Sequence, residues 1–213
     1  MNQDRVSPST APQDRPSRAD SNRRRILEVA RTELLRNPDA SMDQIARAAG
    51  VVRRTVYGHF PSREALIVAI ADGAIEAIGE ALAAEPGDPA GDPAGTLARH
   101  TLAVWQVADR YRLLVSLAQR SGTMEDIRDR LAPHREHLTE LLQQGLDQGV
   151  FTSPLPAAAL ALVQEQVLFG LMQAVNDGFL DAEKAGPAAA VTSLTAAGVP
   201  ASGANALVAQ LPS

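Results

Sequence analysis

VVRRTVYGHFPSREAL, residues 51–66, breaks the pattern of an ordinary buried helix. Two adjacent arginines, a tyrosine and a histidine interrupt its apolar positions, and Pro61-Ser62 follows at once. On a helical wheel Val52, Val56 and Phe60 share one face at i, i+4 and i+8. Arg53, Arg54 and Tyr57 lie within about 100° of each other on the opposite side. The spacing predicts a short helix from about Val52, pinned by three apolar anchors, ended by Pro61, with its polar residues turned outward.

The flanking sequence supplies the elements around it. Ser41 and Gln44, three apart, form a capping box that starts a helix ending at Gly50, with Met42, Ile45, Ala46 and Ala49 inward. Before it, Ile26, Ala30 and Leu34, widened by Leu27 and Val29, mark a helix from Asn22 that Asn37-Pro38 terminates. After it, Ser62 caps a fourth helix with Leu66, Ile70 and Ala74 inward, running to about Leu82. Two short helices joined by a glycine turn over 41–60 make a helix-turn-helix, whose second helix fits a DNA major groove. Arginine there can form bidentate bonds to guanine or charge-assisted bonds to phosphate, and tyrosine and histidine can hold phosphates from the flank. The same spacing also suits a tight αα-hairpin with a solvated arginine face.

The segment SMDQIARAAGVVRRTVYGHFPSREAL (residues 41–66) resembles the DNA-binding segment of the TetR family of bacterial repressors. The likeness rests on Ile45-Ala46, Ala49-Gly50-Val51, Thr55, Tyr57, His59-Phe60 and Ser62-Arg63-Glu64-Ala65-Leu66, and it extends over roughly residues 24–70. It implies an Ω-shaped homodimer, each subunit with a three-helix DNA-binding head and a helical ligand-binding body. It also implies that Arg53, Arg54 and Thr55 face the operator, and that Ser41, Tyr57, His59 and Arg63 hold phosphates. Three positions depart from the pattern. Val52 stands where Ser or Thr is usual, which removes a cap worth about 1 kcal/mol. Arg54 replaces a small residue, and Gly58 replaces a long polar one at a helix cost of about 1 kcal/mol. Arg23, Arg24 and Arg25 open the first helix, where Arg24 is the candidate phosphate contact; a solvated basic run is the alternative.

Charge divides along the chain in the same sense. Residues 1–66 carry 12 Arg against 8 Asp and Glu, a net of +4, whereas 67–213 carry 8 Lys and Arg against 17 acids, a net of −9. One end is suited to a polyanion and the rest is not. With 45% hydrophobic residues but only 3% aromatics, the core is built from Ala, Leu and Val, which favours helix. The absence of cysteine excludes disulfides and thiol chemistry. Arginine dominates the cations, Lys184 being the only lysine, as in chains from GC-rich bacterial genomes.

The expected organisation is all-α: a disordered arm at 1–21, a DNA-binding domain at 22–66, and a ligand-binding and dimerisation domain at 67–213. The tandem GDPA of 85–96 reads as a loop. Further helices are expected near 96–109, 111–120, 124–132, 134–148, 156–178 and 186–197. The last two would form the homodimer interface, with Ala157–Ala161 and Ala188–Ala190 permitting close approach. The apolar run Leu155–Val175 contains Gln164, Glu165 and Gln166, which argues against a membrane span, and the N-terminus has no apolar signal region. A cytoplasmic location is expected.

A pocket for a small, largely apolar effector should lie among the helices of 96–178. Candidate lining residues are Trp105, Tyr111, Leu114, Gln119, Met124, Phe151, Gln166, Phe169 and Met172, each equally suited to plain core. His134 and His137, with His100 elsewhere, could share a metal, but a surface pair beside Arg135 and Glu136 is the commoner arrangement, and no metal or cofactor is expected. No GxSxG, Walker loop, HExxH or GxGxxG motif points to an enzyme. The resulting expectation is a repressor that binds a palindromic duplex operator as a homodimer and is released by the effector. Its rival is a helical small-molecule carrier with a non-functional head.

Overall fold

The stripe Ile26, Ala30 and Leu34 is completely buried in the computed structural model, which describes residues 18–85 and 91–211. Ten helices and no strand occur among the described residues: α1 Arg18–Arg36, α2 Met42–Ala48, α3 Arg53–His59, α4 Arg63–Ala84, α5 Pro93–Ser121, α6 Met124–Arg130, α7 Ala132–Asp147, α8 Ala157–Asn176, α9 Ala182–Ala196 and α10 Ala201–Val208. The first helix thus begins four residues earlier than expected. The remainder of the expected arm, and residues 86–90 of the GDPA loop, lie outside the described residues.

The head is fixed by local chemistry. Ser41 Oγ accepts from the Gln44 amide at 3.3 Å while Gln44 Oε1 accepts from the Ser41 amide at 2.7 Å, closing the capping box. Gly50 sits at φ +63°, where it turns the chain from α2 into α3 and its amide donates to the Arg47 carbonyl. Ser62 Oγ accepts from the Ala65 amide at 3.1 Å and starts α4. Val56 and Phe60 are buried beneath α3, but Val52 is not the third anchor. It is the N-cap residue of α3, in extended conformation and 70% exposed, because a helix beginning at Arg53 leaves position 52 outside helical geometry.

Core packing does not stop at the end of the head. Leu114, Leu117 and Ala118 of α5 and Ile127 of α6 belong to the same cluster as Ile26, Ile45, Val56 and Leu66. A second cluster, around Leu97, Leu142, Phe151, Leu160 and Leu194, fills the far end of the body.

Four body expectations need correction. No break divides 96–109 from 111–120: α5 runs unbroken for 29 residues, and the polar stretch at its middle satisfies itself within the helix, Arg112 pairing with Asp109 at 2.6 Å. Pro187 does not open α9 but lies inside it, and the carbonyl it leaves without an intrahelical donor is that of Glu183, at the exposed start. α10 was not anticipated; only Ala204 and Val208 of it are buried. The small residues Ala157, Ala161, Ala189 and Ala190 pack within the subunit, each 3% exposed or less.

Long and apolar enough to cross a membrane, α8 instead packs against α5, α7 and α9, with Gln164 buried in that packing. Its other side leaves Leu162 49% exposed, beside exposed Val163, Leu155, Ala158 and Gly170.

Candidate nucleic-acid interface and effector cavity

α3 presents Arg53, Arg54 and Tyr57 to solvent, with Thr55 and His59 half-buried at its edges. The two arginines differ in their surroundings. Arg53 donates to Asp43 of α2 at 2.8 Å and stacks over the Tyr57 ring at 5.0 Å, so its charge and direction are set from within the head. Arg54 has no such tether among the described residues. Ser41 is exposed at the start of α2, where its hydroxyl is already engaged in the cap.

Arg63 is placed differently from the exposed set. Its guanidinium donates to the carbonyls of Pro38 and Ala40, clamping the α1–α2 turn onto α4. Arg24 is exposed on α1, whereas its neighbour Arg23 lies over the Phe60 ring at 5.5 Å, joining α1 to the end of α3. The outward polar set therefore comprises Arg24, Ser41, Arg53, Arg54 and Tyr57, flanked by Thr55 and His59.

In the body, α4, α5, α7 and α8 line a partly open cavity of about 130 Å³. Its wall includes Ile78, Leu82, Val104, Leu168, Phe169 and Met172, with polar groups at His100, His134, His137, Arg135, Gln164 and Glu165. A smaller space of about 70 Å³ adjoins it and shares Phe169 and Met172. Of the nine residues singled out from sequence, Phe169 and Met172 line both spaces, and Tyr111, Leu114 and Met124 line the smaller. The other four lie elsewhere. Trp105 is buried with Ala185 and Ala189 and lies against Gly186. Phe151 is packed onto Gly145 so closely that a methyl group there would overlap its ring. Gln119 is exposed, and so is Gln166, which accepts from Arg128 at 3.2 Å.

Sequence reasoning missed the polar wall. His134 Nε2 lies 3.2 Å from the Ile75 carbonyl; since a carbonyl only accepts, that nitrogen carries the proton. His100 and His137 face each other across α5 and α7 with ring centroids 5.6 Å apart. Burial, then His137, then Arg99 hold His100 below the usual histidine pKa, so it is neutral at pH 7. Among the described residues no group of three His, Cys, Asp or Glu is gathered for a metal ion. Two signals were available: His134 and His137 with His100, weighed only as a metal set or a surface pair, and the Gln164-Glu165-Gln166 interruption of an apolar helix, two of whose residues the helical phase turns inward.

Comparison with known proteins agrees with this architecture. Residues 26–70 match the family model for bacterial regulatory proteins of the tetR family. No curated protein matches the sequence. The crystal structure of RolR without ligand aligns with a TM-score of 0.66 at 22% identity, over 89% of this chain and 98% of RolR. RolR in complex with resorcinol aligns with a TM-score of 0.57 at 25% identity, over 92% and 97%. The TetR family transcriptional regulator PfmR from Thermus thermophilus aligns with a TM-score of 0.61 at 23% identity, over 80% and 97%. The chain carries the DNA-binding head of the TetR family of bacterial regulators, at residues 26–70, on a body that shares the fold of TetR-family proteins.

Proposed function

We propose that this protein is a cytoplasmic transcriptional repressor that binds a palindromic operator as a homodimer and leaves it when a small effector occupies the body cavity. The observation that carries this reading is the exposed face of α3. A seven-residue helix anchored by Val56 and Phe60 holds Arg53, Arg54 and Tyr57 outward, a shape and charge that suit one major groove. Arg54 reads base edges, Arg53 and Tyr57 position the helix on the backbone, and Arg24, Ser41, Thr55 and His59 contact phosphates from the rim. Arg63, tied to the α1–α2 turn, acts by shaping the head.

The exposed apolar side of α8 supports the dimer, in which α8 and α9 of two subunits pack as a four-helix bundle. Operator release requires that the effector bind the released arrangement more tightly than the bound one. RolR, of the same fold, is known with resorcinol as its ligand, in keeping with a small occupant for the cavity here.

Selection of bound sequences from a random duplex DNA library tests this reading. Enrichment of an inverted repeat is expected, with affinity falling about 10³–10⁵-fold between 50 and 200 mM salt for 6–10 phosphate contacts. A folded, dimeric protein that enriches no sequence would instead be a carrier with a silent head, a reading favoured by the uncapped Val52 and by Gly58.

A further inference from the structure

Five buried side-chain atoms lack a hydrogen-bond partner among the described residues, and two of them belong to adjacent residues of the cavity wall: Gln164 Oε1 and Glu165 Oε1. Their orientation is set by what holds their other ends. Gln164, 2% exposed, donates from Nε2 to the Ser193 carbonyl at 2.8 Å. A carbonyl can only accept, so the amide nitrogen is fixed on α9 and the oxygen is left over. Arg135 donates from Nε to Glu165 Oε2 at 2.8 Å, and its Nη2 lies at 2.8 Å from the same oxygen as an ion pair. Oε1 of that carboxylate receives nothing from the described residues. Buried acceptors without donors are costly, and pairs of them at one cavity are uncommon unless something fills the need.

The rest of the wall restricts what could do so. Apart from Arg135, the three histidines, Thr101 and Ser193, it is made of apolar residues such as Ile78, Leu82, Val104, Leu168, Phe169 and Met172, so a full charge would lose hydration there. Both orphan atoms accept, one carries negative charge, and the nearby guanidinium of Arg135 is already committed to Glu165 and to the Arg128 carbonyl. An anionic carboxylate placed at these two atoms would therefore meet acceptors and like charge. A volume of about 130 Å³ is close to that of cavities of about 150 Å³ that hold benzene.

We propose that the effector is an uncharged molecule of about one ring's size whose hydroxyl or N–H groups donate to Gln164 Oε1 and Glu165 Oε1 while its ring lies on Phe169 and Met172. This rests on the reading of the cavity as the effector site and adds the effector's chemical class. Glu165 also links the cavity to α6, through Arg135 and the Arg128 carbonyl, and Arg130 of α6 pairs with Asp72 of α4 at 2.8 Å. A donor arriving at Glu165 thus acts on a polar chain that ends on the helix leaving the head.

Direct calorimetric titration of the full-length protein without DNA tests the class, using toluene, phenol, resorcinol, benzoate and benzylamine. Affinity should rise about fivefold or more with each hydroxyl from toluene to resorcinol, and benzoate should bind most weakly. Gln164→Met should weaken resorcinol about fivefold or more while leaving toluene within twofold, which a merely unfolded variant could not do. Toluene equal to resorcinol, benzoate or benzylamine tightest, or no binding by any of the five would overturn the proposal; because this ladder is read on the unaltered protein, a misfolded variant does not remove the test. Operator release is measured separately. Release by compounds outside this class would leave the regulator reading standing and sink only the effector assignment, whereas absence of any operator would sink the regulator reading itself.

Discussion

α3 and α8 both leave a face without a partner in the subunit, and the two faces are opposites. α3 is seven residues long, buries Val56, and turns arginines and a tyrosine to solvent. α8 is twenty residues long, and its outer side carries Leu162, Val163, Ala158 and Gly170 around a single polar residue, Gln166, followed by Phe179, 85% exposed, just past its end. A cationic face is at home in water until a polyanion displaces its counterions. An apolar face of α8's extent is not at home in water, and like surfaces cover one another by two-fold symmetry. The difference teaches that exposure alone does not define a site; on the proposed reading the chemistry of what is exposed suits nucleic acid for one helix and a second copy for the other.

The hardest test of this contrast places charge on α8. Leu162→Glu with Val163→Glu should convert a dimer into monomers in sedimentation, since unpaired charges buried at an interface cost about 3–5 kcal/mol, and operator affinity should fall with it. A variant that stays dimeric would show that another surface joins the subunits.

On α3 the two arginines should separate. Arg54→Ala is expected to weaken specific binding by about 1–3 kcal/mol and relax base preference at one position of the half-site. Arg53→Ala should weaken binding on all sequences, because it also unmasks Asp43 at the DNA-facing side. Adding Asp43→Asn should then recover part of the loss. Titrations on specific and scrambled duplexes distinguish these outcomes, and identical behaviour of the two variants would remove the division of roles.

Gly58 gives a smaller effect of opposite sign for folding. A Cβ added there meets nothing within 4 Å, so Gly58→Ala should stabilise the free protein by roughly 1 kcal/mol, visible as a raised melting temperature. The smallest effect lies on α5, at the wall of the cavity. His100 has a folded pKa below its usual value, so as pH falls below about 6.5 the unfolded chain takes up the proton first and stability declines. His100→Gln should flatten the melting temperature between about pH 7.5 and 5.5, the span in which an unperturbed histidine titrates; an unchanged slope would place the dependence on another group.

The head was legible in sequence because its signals act over three or four residues. Ser41 with Gln44, Gly50, Ser62 and the prolines at 38 and 61 each decide their own turn of chain. Val52 shows where that reasoning ends: periodicity put it among the anchors, but periodicity holds only inside a helix, and residue 52 lies one step outside. In the body the aromatic residues drew attention for their size, yet Phe151 folds back on Gly145 across the turn that ends α7, and Trp105 fills the gap above Gly186, a pairing far apart in sequence that no local pattern announces. The polar wall was hidden for the same reason. Gln164 and Glu165 were visible as interruptions of an apolar helix, but that they turn inward to Ser193 and Arg135 depends on where α9 and α7 fall.

The continuity of packing between head and body has a mechanical consequence. α4 begins beside Phe60 at the end of α3 and carries Ile78 and Leu82 to the cavity wall, while Leu114, Leu117 and Ile127 bind the head to α5 and α6. No soft joint separates head from body among the described residues, so on the proposed reading α4 and the head it holds tilt as one lever about the cavity end of α4. Twenty-two residues of helix span about 33 Å. A tilt of about 5° displaces the far end by about 3 Å, close to the ~3.4 Å rise of one base pair. On the proposed reading, so small a tilt would carry α3 out of register with a half-site.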